Sequence, residues 1–230
     1  MYASSRPRGS PLQTGAGTNP AKPTGVSTNR LEAFSDGVLA VAITLLVLNI
    51  SVPGGPHLAH QLGKNWQEYV AYVTSFITIG IIWINHHAMI GRLREADHTI
   101  LILNLFLLMS VGILPFATAL VAGYLKAGYD QSLAAAIYSG SFLVMSLAFS
   151  ALNRQILLVR PQLLRSQLSQ AQRRAIFWRA VTGIVPYVIA TALAFVSPYA
   201  TLAICAAVAA FYATPLASST ANRSGALTRR

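Results

Sequence analysis

Apolar segments of about 20 residues, the length that carries an α-helix across a hydrocarbon core of about 30 Å, recur along almost the whole chain. Six are legible: 31–52, 66–90, 99–122, 131–153, 176–197 and 198–216. Only Ser197-Pro198 divides the last two, so a tight hairpin is required there. Charged residues make up 10% of the chain and hydrophobic residues 54%, whereas soluble domains carry about 25% charge. In lipid each backbone N–H and C=O must find its partner within its own segment, which for runs this long means helices. The expected fold is an all-α membrane protein with six transmembrane helices, occupying residues 29–217.

The net charge of +11 would point to nucleic acid in a soluble protein, but its placement argues for topology. Of 17 Lys and Arg, four precede the first span, two lie between spans two and three, and six lie at Arg154–Arg179. Three more follow the sixth span, leaving Lys64 and Lys126 for the alternate loops. By the positive-inside rule both termini are expected to be cytoplasmic, with membrane lipids and not nucleic acid as the partner of the basic excess. Residues 1–28 are rich in Ser, Pro, Gly and Thr and read as a disordered tail, and 218–230 as a basic C-terminal tail. The first apolar run is full length and contains Asp36, which sets it apart from a signal peptide. Residues 154–174 are polar and basic and read as a cytoplasmic linker. The single cysteine, Cys205, sits in the sixth span, where packing is the ordinary role of a buried thiol.

The first span opens Arg30-Leu31-Glu32-Ala33-Phe34-Ser35-Asp36-Gly37 and runs straight into aliphatic residues. A carboxylate one turn inside such a helix is costly and marks a functional position by default. At 100° per residue, Gly37, Val41, Thr44 and Leu48 fall in one narrow arc with Leu45 on its flank, while Asp36 points about 140° and Ser35 about 120° away on opposite sides. The stripe is either a seam for helix packing or a pore lining narrowed by aliphatic rings. Periodicity alone leaves both open.

Span two ends in Trp83-Ile84-Asn85-His86-His87, and span three carries Asp97-His98, Asn104 and Leu114-Pro115-Phe116. Trp83 lies one turn from both His86 and His87. With alternating span directions, Arg30, Ser35, Asp36, His86, His87 and Asn104 all lie near the cytoplasmic surface, so they can meet in one polar layer that locks three helices together. Pro115 removes a helical N–H and should kink span three. No His-x-x-x-His spacing occurs within a span, so no metal site is expected. There is no Gly-x-Ser-x-Gly or His-Glu-x-x-His either, so a hydrolase is not expected.

Arg30-x-x-x-Phe34-Ser35-Asp36 opening the first span resembles the signature of the endolysosomal transmembrane potassium channel family and its single-unit prokaryotic relatives. Trp83-x-x-His86-His87, Asn104 and Leu114-Pro115-Phe116 are similar to that family's further marks. The resemblance implies a non-enzymatic, potassium-preferring channel without a cofactor, its only small ligand the permeant potassium ion. It implies a homotetramer in a prokaryotic plasma membrane, with the first helices lining a central pore. Carried over residue by residue, the narrowest ring is Val41, the hydroxyl ring Thr44, and the next layers Leu45 and Leu48. The polar network falls on Arg30, Ser35, Asp36, Trp83, His86 or His87, and Asn104. Val41 is smaller than the Ile or Leu of many relatives, Ala40 stands where animal members carry serine, and Gly37 replaces a common alanine. A wider or less selective constriction is the corresponding expectation. The alternative is an ion-coupled secondary transporter with a midplane site, for which Pro115 and Pro186 would supply broken helices.

Overall fold

Apolar runs of this length become helices, and their ends are set by local polar chemistry. The computed structural model describes residues 26–214. The tail preceding residue 26 and the C-terminal tail 218–230 lie outside the described residues. Five helical stretches have the length and apolar character to cross a membrane: Thr28–Asn49, Trp66–Ile90, His98–Ala127, Gln131–Val159 and Gln170–Leu193. A sixth apolar helix, Pro198–Ala213, is shorter. Its 16 residues reach about 24 Å, against the 198–216 read from sequence.

Within these stretches the elements are α1 (Thr28–Leu45), tightening into a 3-10 turn at Leu46–Asn49, then α2 (Leu58–Lys64) and α3 (Trp66–Ile90). The α4 (His98–Gly112) and α5 (Leu114–Ala127) helices follow, then α6 (Gln131–Arg154), α7 (Gln170–Thr182), α8 (Ile184–Leu193) and α9 (Pro198–Ala213). The Asp97 side chain caps α4 by accepting from the Ile100 N–H at 2.9 Å, and Ser197 caps α9 through the Ala200 N–H; each satisfies an N–H that a helix start leaves orphaned. Pro115 interrupts the third pass at Ile113, where α4 gives way to α5. Gly183 separates α7 from α8 three residues before Pro186 in the same way.

α6 lies at the centre, packed on α4, α5, α8 and α9. Its Tyr138 and Phe142 are fully buried and meet edge to face at 4.8 Å. Several polar groups inside this core pair with one another. Ser75 of α3 bonds Thr118 of α5 at 2.8 Å and the Tyr138 hydroxyl at 3.1 Å, joining three helices across the core.

Two regions differ from the sequence reading. Residues 26–28 were expected to close the disordered tail, yet Val26–Ser27 (β1) pairs antiparallel with Glu95–Ala96 (β2) and Thr28 is buried. The linker 154–174 is built from short turns and the start of α7. α6 relaxes into a π-turn at Gln155–Val159, a 3-10 turn follows at Pro161–Leu163, and Leu164 bridges to Leu93 before α7 begins. The Arg165 guanidinium then donates to the Leu93 carbonyl at 2.7 Å and to the Thr28 hydroxyl at 3.2 Å. The linker is thereby laced to the start of α1 and to the turn between α3 and α4.

Candidate functional site

α1 has two faces with opposite fates. Leu31, Ser35, Leu39, Ala42 and Leu46 are buried, at helical spacings of three and four, and they form the face on which α1 packs against α3 and α4. The aliphatic stripe lies on the other side: Val41 is 57% exposed, Leu45 43% and Leu48 75%. Leu39 is two residues from Val41, hence about 160° around the helix from it. Packing inside the subunit therefore uses a seam that excludes the Val41 stripe. Thr44 is also exposed, and its hydroxyl donates back to the Val41 carbonyl at 2.9 Å. That hydrogen bond leaves the Thr44 oxygen free to accept. Leu48 falls in the 3-10 turn, so the stripe widens there to include the exposed Val47.

The polar residues near the start of α1 divide into two groups. In the interior, the Ser35 hydroxyl donates to the Leu31 carbonyl at 2.8 Å and accepts from the Asn104 Nδ2 at 3.0 Å. The Asn104 carbonyl faces His86 Nε2 at 2.7 Å. A carbonyl oxygen only accepts, so His86 Nε2 carries the hydrogen. Ser35, His86 and Asn104 are all fully buried, and they stitch α1, α3 and α4 together. In the outer group, the Trp83 indole N–H donates to Asp36 at 2.9 Å, and His87 Nδ1 pairs with Glu32 at 2.8 Å. The Trp83 and His87 rings lie 6.1 Å apart, as their shared helical face requires.

The structure thus brings together six of the seven residues read from sequence as the network. Both histidines take part, in different groups. Arg30 is the exception: it is exposed and makes no hydrogen bond or ion pair among the described residues. Glu32 was missed, although it stands one turn before Asp36 on the same face of α1, and that spacing was the available signal. The ligand-type atoms of Glu32, Asp36 and His87 lie within 4.8 Å of one another, a grouping across two helices that spacing within one span cannot show. His87 is already held by Glu32 and Asp36 by Trp83. At the far end of α1, Asn49 Nδ2 donates to the Pro115 carbonyl at 2.8 Å, and Ser51 bonds Glu68 of α3. No sequence pattern singled these out.

A sequence model of the family described as endosomal/lysosomal potassium channel TMEM175 matches residues 30–115, the stretch that supplies α1, α3 and α4. A potassium channel of Streptomyces collinus is 41% identical over 188 residues, covering 80% of this chain and 91% of its own. This chain belongs to the TMEM175 family. A potassium channel of Chamaesiphon minutus is 37% identical over 192 residues, covering 81% of this chain and 93% of its own. The crystal structure of a lysosomal potassium-selective TMEM175 homolog from the same organism matches with a TM-score of 0.71 at 36% identity, over 81% of this chain and 96% of that one. A mouse protein named endosomal/lysosomal proton channel TMEM175 is 34% identical over 117 residues, which is 46% of this chain and 23% of the mouse protein. The TMEM175 family and these relatives are ion channels, not enzymes.

Proposed function

We propose that this TMEM175 chain forms a potassium-preferring cation channel, as a homotetramer in a prokaryotic plasma membrane with both termini cytoplasmic. Four copies of α1 converge on an axis, and Val41, Thr44, Leu45 and Leu48 line the path. The observation that carries this reading is the division of α1. Its packing seam is Leu31-Ser35-Leu39-Ala42-Leu46, so the Val41 stripe has no role within the subunit and is free to face copies of itself. The names of the two bacterial relatives, which match along most of this chain, support potassium as the ion.

An aliphatic ring offers a cation nothing in exchange for its hydration shell, so it acts as a barrier and gates by dewetting. Potassium holds its water less tightly than sodium and crosses such a ring at lower cost. One turn on, the Thr44 oxygens present acceptors that partly replace the lost water. Asp36 and Trp83, Glu32 and His87, and the buried Ser35–Asn104–His86 chain hold α1 at the tilt that brings Val41 to the axis.

Flux from purified protein in liposomes tests this reading, under potassium, sodium and proton gradients in turn. Val41→Asn places a polar group at the narrow ring and is expected to raise cation flux and blur potassium over sodium. Unchanged flux and selectivity would remove Val41 from the path.

A further inference from the structure

Glu68 stands in the first turn of α3, a membrane-length helix, with its side chain only 6% exposed. A carboxylate so placed is retained at a cost unless its oxygens are matched by donors. Here they are. The Ser51 backbone N–H donates to one oxygen at 2.8 Å, and the Ser51 hydroxyl donates to the other at 3.0 Å. Lys126, at the end of α5, reaches that second oxygen at 3.2 Å. Three donors from two separate elements therefore converge on one buried carboxylate.

What Glu68 holds is the end of the stripe. α1 loses its α-helical hydrogen bonding after Leu45, and the 3-10 turn Leu46–Asn49 leads into a loop with no helix before Leu58. That loop contains Pro53, Gly54, Gly55 and Pro56, and Gly55 and His57 adopt left-handed backbone angles. Among the described residues, the polar contacts tying 46–51 to other helices are Asn49 to the Pro115 carbonyl and Ser51 to Glu68. Leu48, the most exposed member of the stripe, lies between Asn49 and α1 on this segment. The opposite end of α1 is fastened by the Ser35, Asp36 and Glu32 contacts, so the helix is pinned at both ends and bears its apolar stripe between them.

We infer that Glu68 is a positioning residue for conduction: with Ser51 and Lys126 it sets where the Leu46–Asn49 turn, and with it Leu48, stands relative to the axis. The inference rests on the pore reading proposed above, and its consequence is local. A positive charge cannot substitute for the carboxylate, because the Ser51 N–H and hydroxyl need an acceptor.

The test uses the full chain, with Cys205→Ala and Leu48→Cys carrying a spin label, so that distances between Leu48 sites of neighbouring subunits are read directly. Potassium flux is measured in parallel on the same substitutions with Leu48 intact. Glu68→Ala, which leaves all three donors without an acceptor, is expected to populate a second, displaced Leu48 distance more than about tenfold above the parent, tenfold being what one lost charge-assisted hydrogen bond already allows. Glu68→Gln, whose amide oxygen still accepts from Ser51, does so less than Glu68→Ala. Potassium flux falls with it. Lys126→Met, which removes one donor of three, has a smaller effect, and the exchanged pair Glu68→Lys with Lys126→Glu does not restore the parent distance. If Glu68 serves stability alone, the substitutions lower the assembled fraction, while the remaining tetramer keeps a single parental distance and parental flux; that result overturns the inference. A null result for Val41→Asn in the same liposomes overturns the pore reading instead, and leaves the Leu48 distances to decide the anchor separately.

Discussion

Asn104 serves two partners with one amide, giving an N–H to Ser35 and accepting from His86. Leucine has the same branched shape and no polar atom, so Asn104→Leu strips the His86 N–H of its acceptor and the Ser35 oxygen of its donor in a dry interior, while the Ser35 hydroxyl still donates to the Leu31 carbonyl. Leaving such groups unmatched costs about 1–3 kcal/mol. For a domain of this size that lowers the melting temperature by roughly 2–12 °C, measurable on the purified protein in detergent. Ser35→Ala removes the same contact from the other side. The double substitution is therefore expected to cost less than the sum of the singles, since each has already broken the shared bond. Additive costs would mean the contact contributes nothing. These residues were legible in the sequence because a buried Ser, Asn and His in apolar helices have few physical explanations other than one another. Arg30 was included on the same logic and does not take part, because at the helix start it can reach water. Glu68 and Ser51 stayed hidden because nothing local marks a carboxylate whose partners are 17 and 58 residues away.

At the scale of elements, hydrophobic length located the helices well, and both proline-linked interruptions lie where a missing N–H demands them. The connections were harder to read. β1 and β2 have two residues each, too few for any alternation to show, and the fastening of the linker depends on segments far apart in sequence. Arg165 carries much of it, bonding Leu93 and Thr28 through its side chain and Arg92 through its backbone N–H at 2.8 Å. In Arg165→Met the backbone bond survives and both guanidinium bonds are lost. The position is partly open to solvent, so the expected cost is about 1 kcal/mol, nearer that of neutral hydrogen bonds than of charged ones. Because those bonds cover the start of α1, amide hydrogen exchange at residues 31–34, the first whose N–H groups bond within the helix, should quicken while exchange in α6 stays slow. Equal acceleration in both would show that Arg165 stabilises the whole bundle and not this junction.

For the whole molecule, what matters is the surroundings of the exposed face of α1. A subunit by itself has the Val41 stripe turned outward, and lipid or a second α1 would cover it equally well in hydrophobic terms. Charge provides the asymmetry. Asp36 and Glu32 lie only partly buried, each held by one donor, Trp83 and His87, and lipid tails would leave their remaining oxygen lone pairs without the water that a converging, solvated vestibule supplies. Convergence has a geometric consequence at Val41 that lipid exposure lacks. Disulfide formation needs Cα atoms within about 7 Å of each other, a separation reached only at the narrowest ring of a pore. Cys205 is buried and is best removed, so Val41→Cys with Cys205→Ala isolates one thiol per subunit. Oxidation of this protein in the membrane should give covalent dimers that are absent for a cysteine placed at the exposed Phe195 in the turn after α8. A small, charged, water-soluble thiol reagent should block potassium flux through the unoxidised protein. If Val41→Cys instead resists the charged reagent, reacts only with a lipid-soluble one and never forms dimers, the stripe faces lipid and the conducting path must lie elsewhere in the bundle.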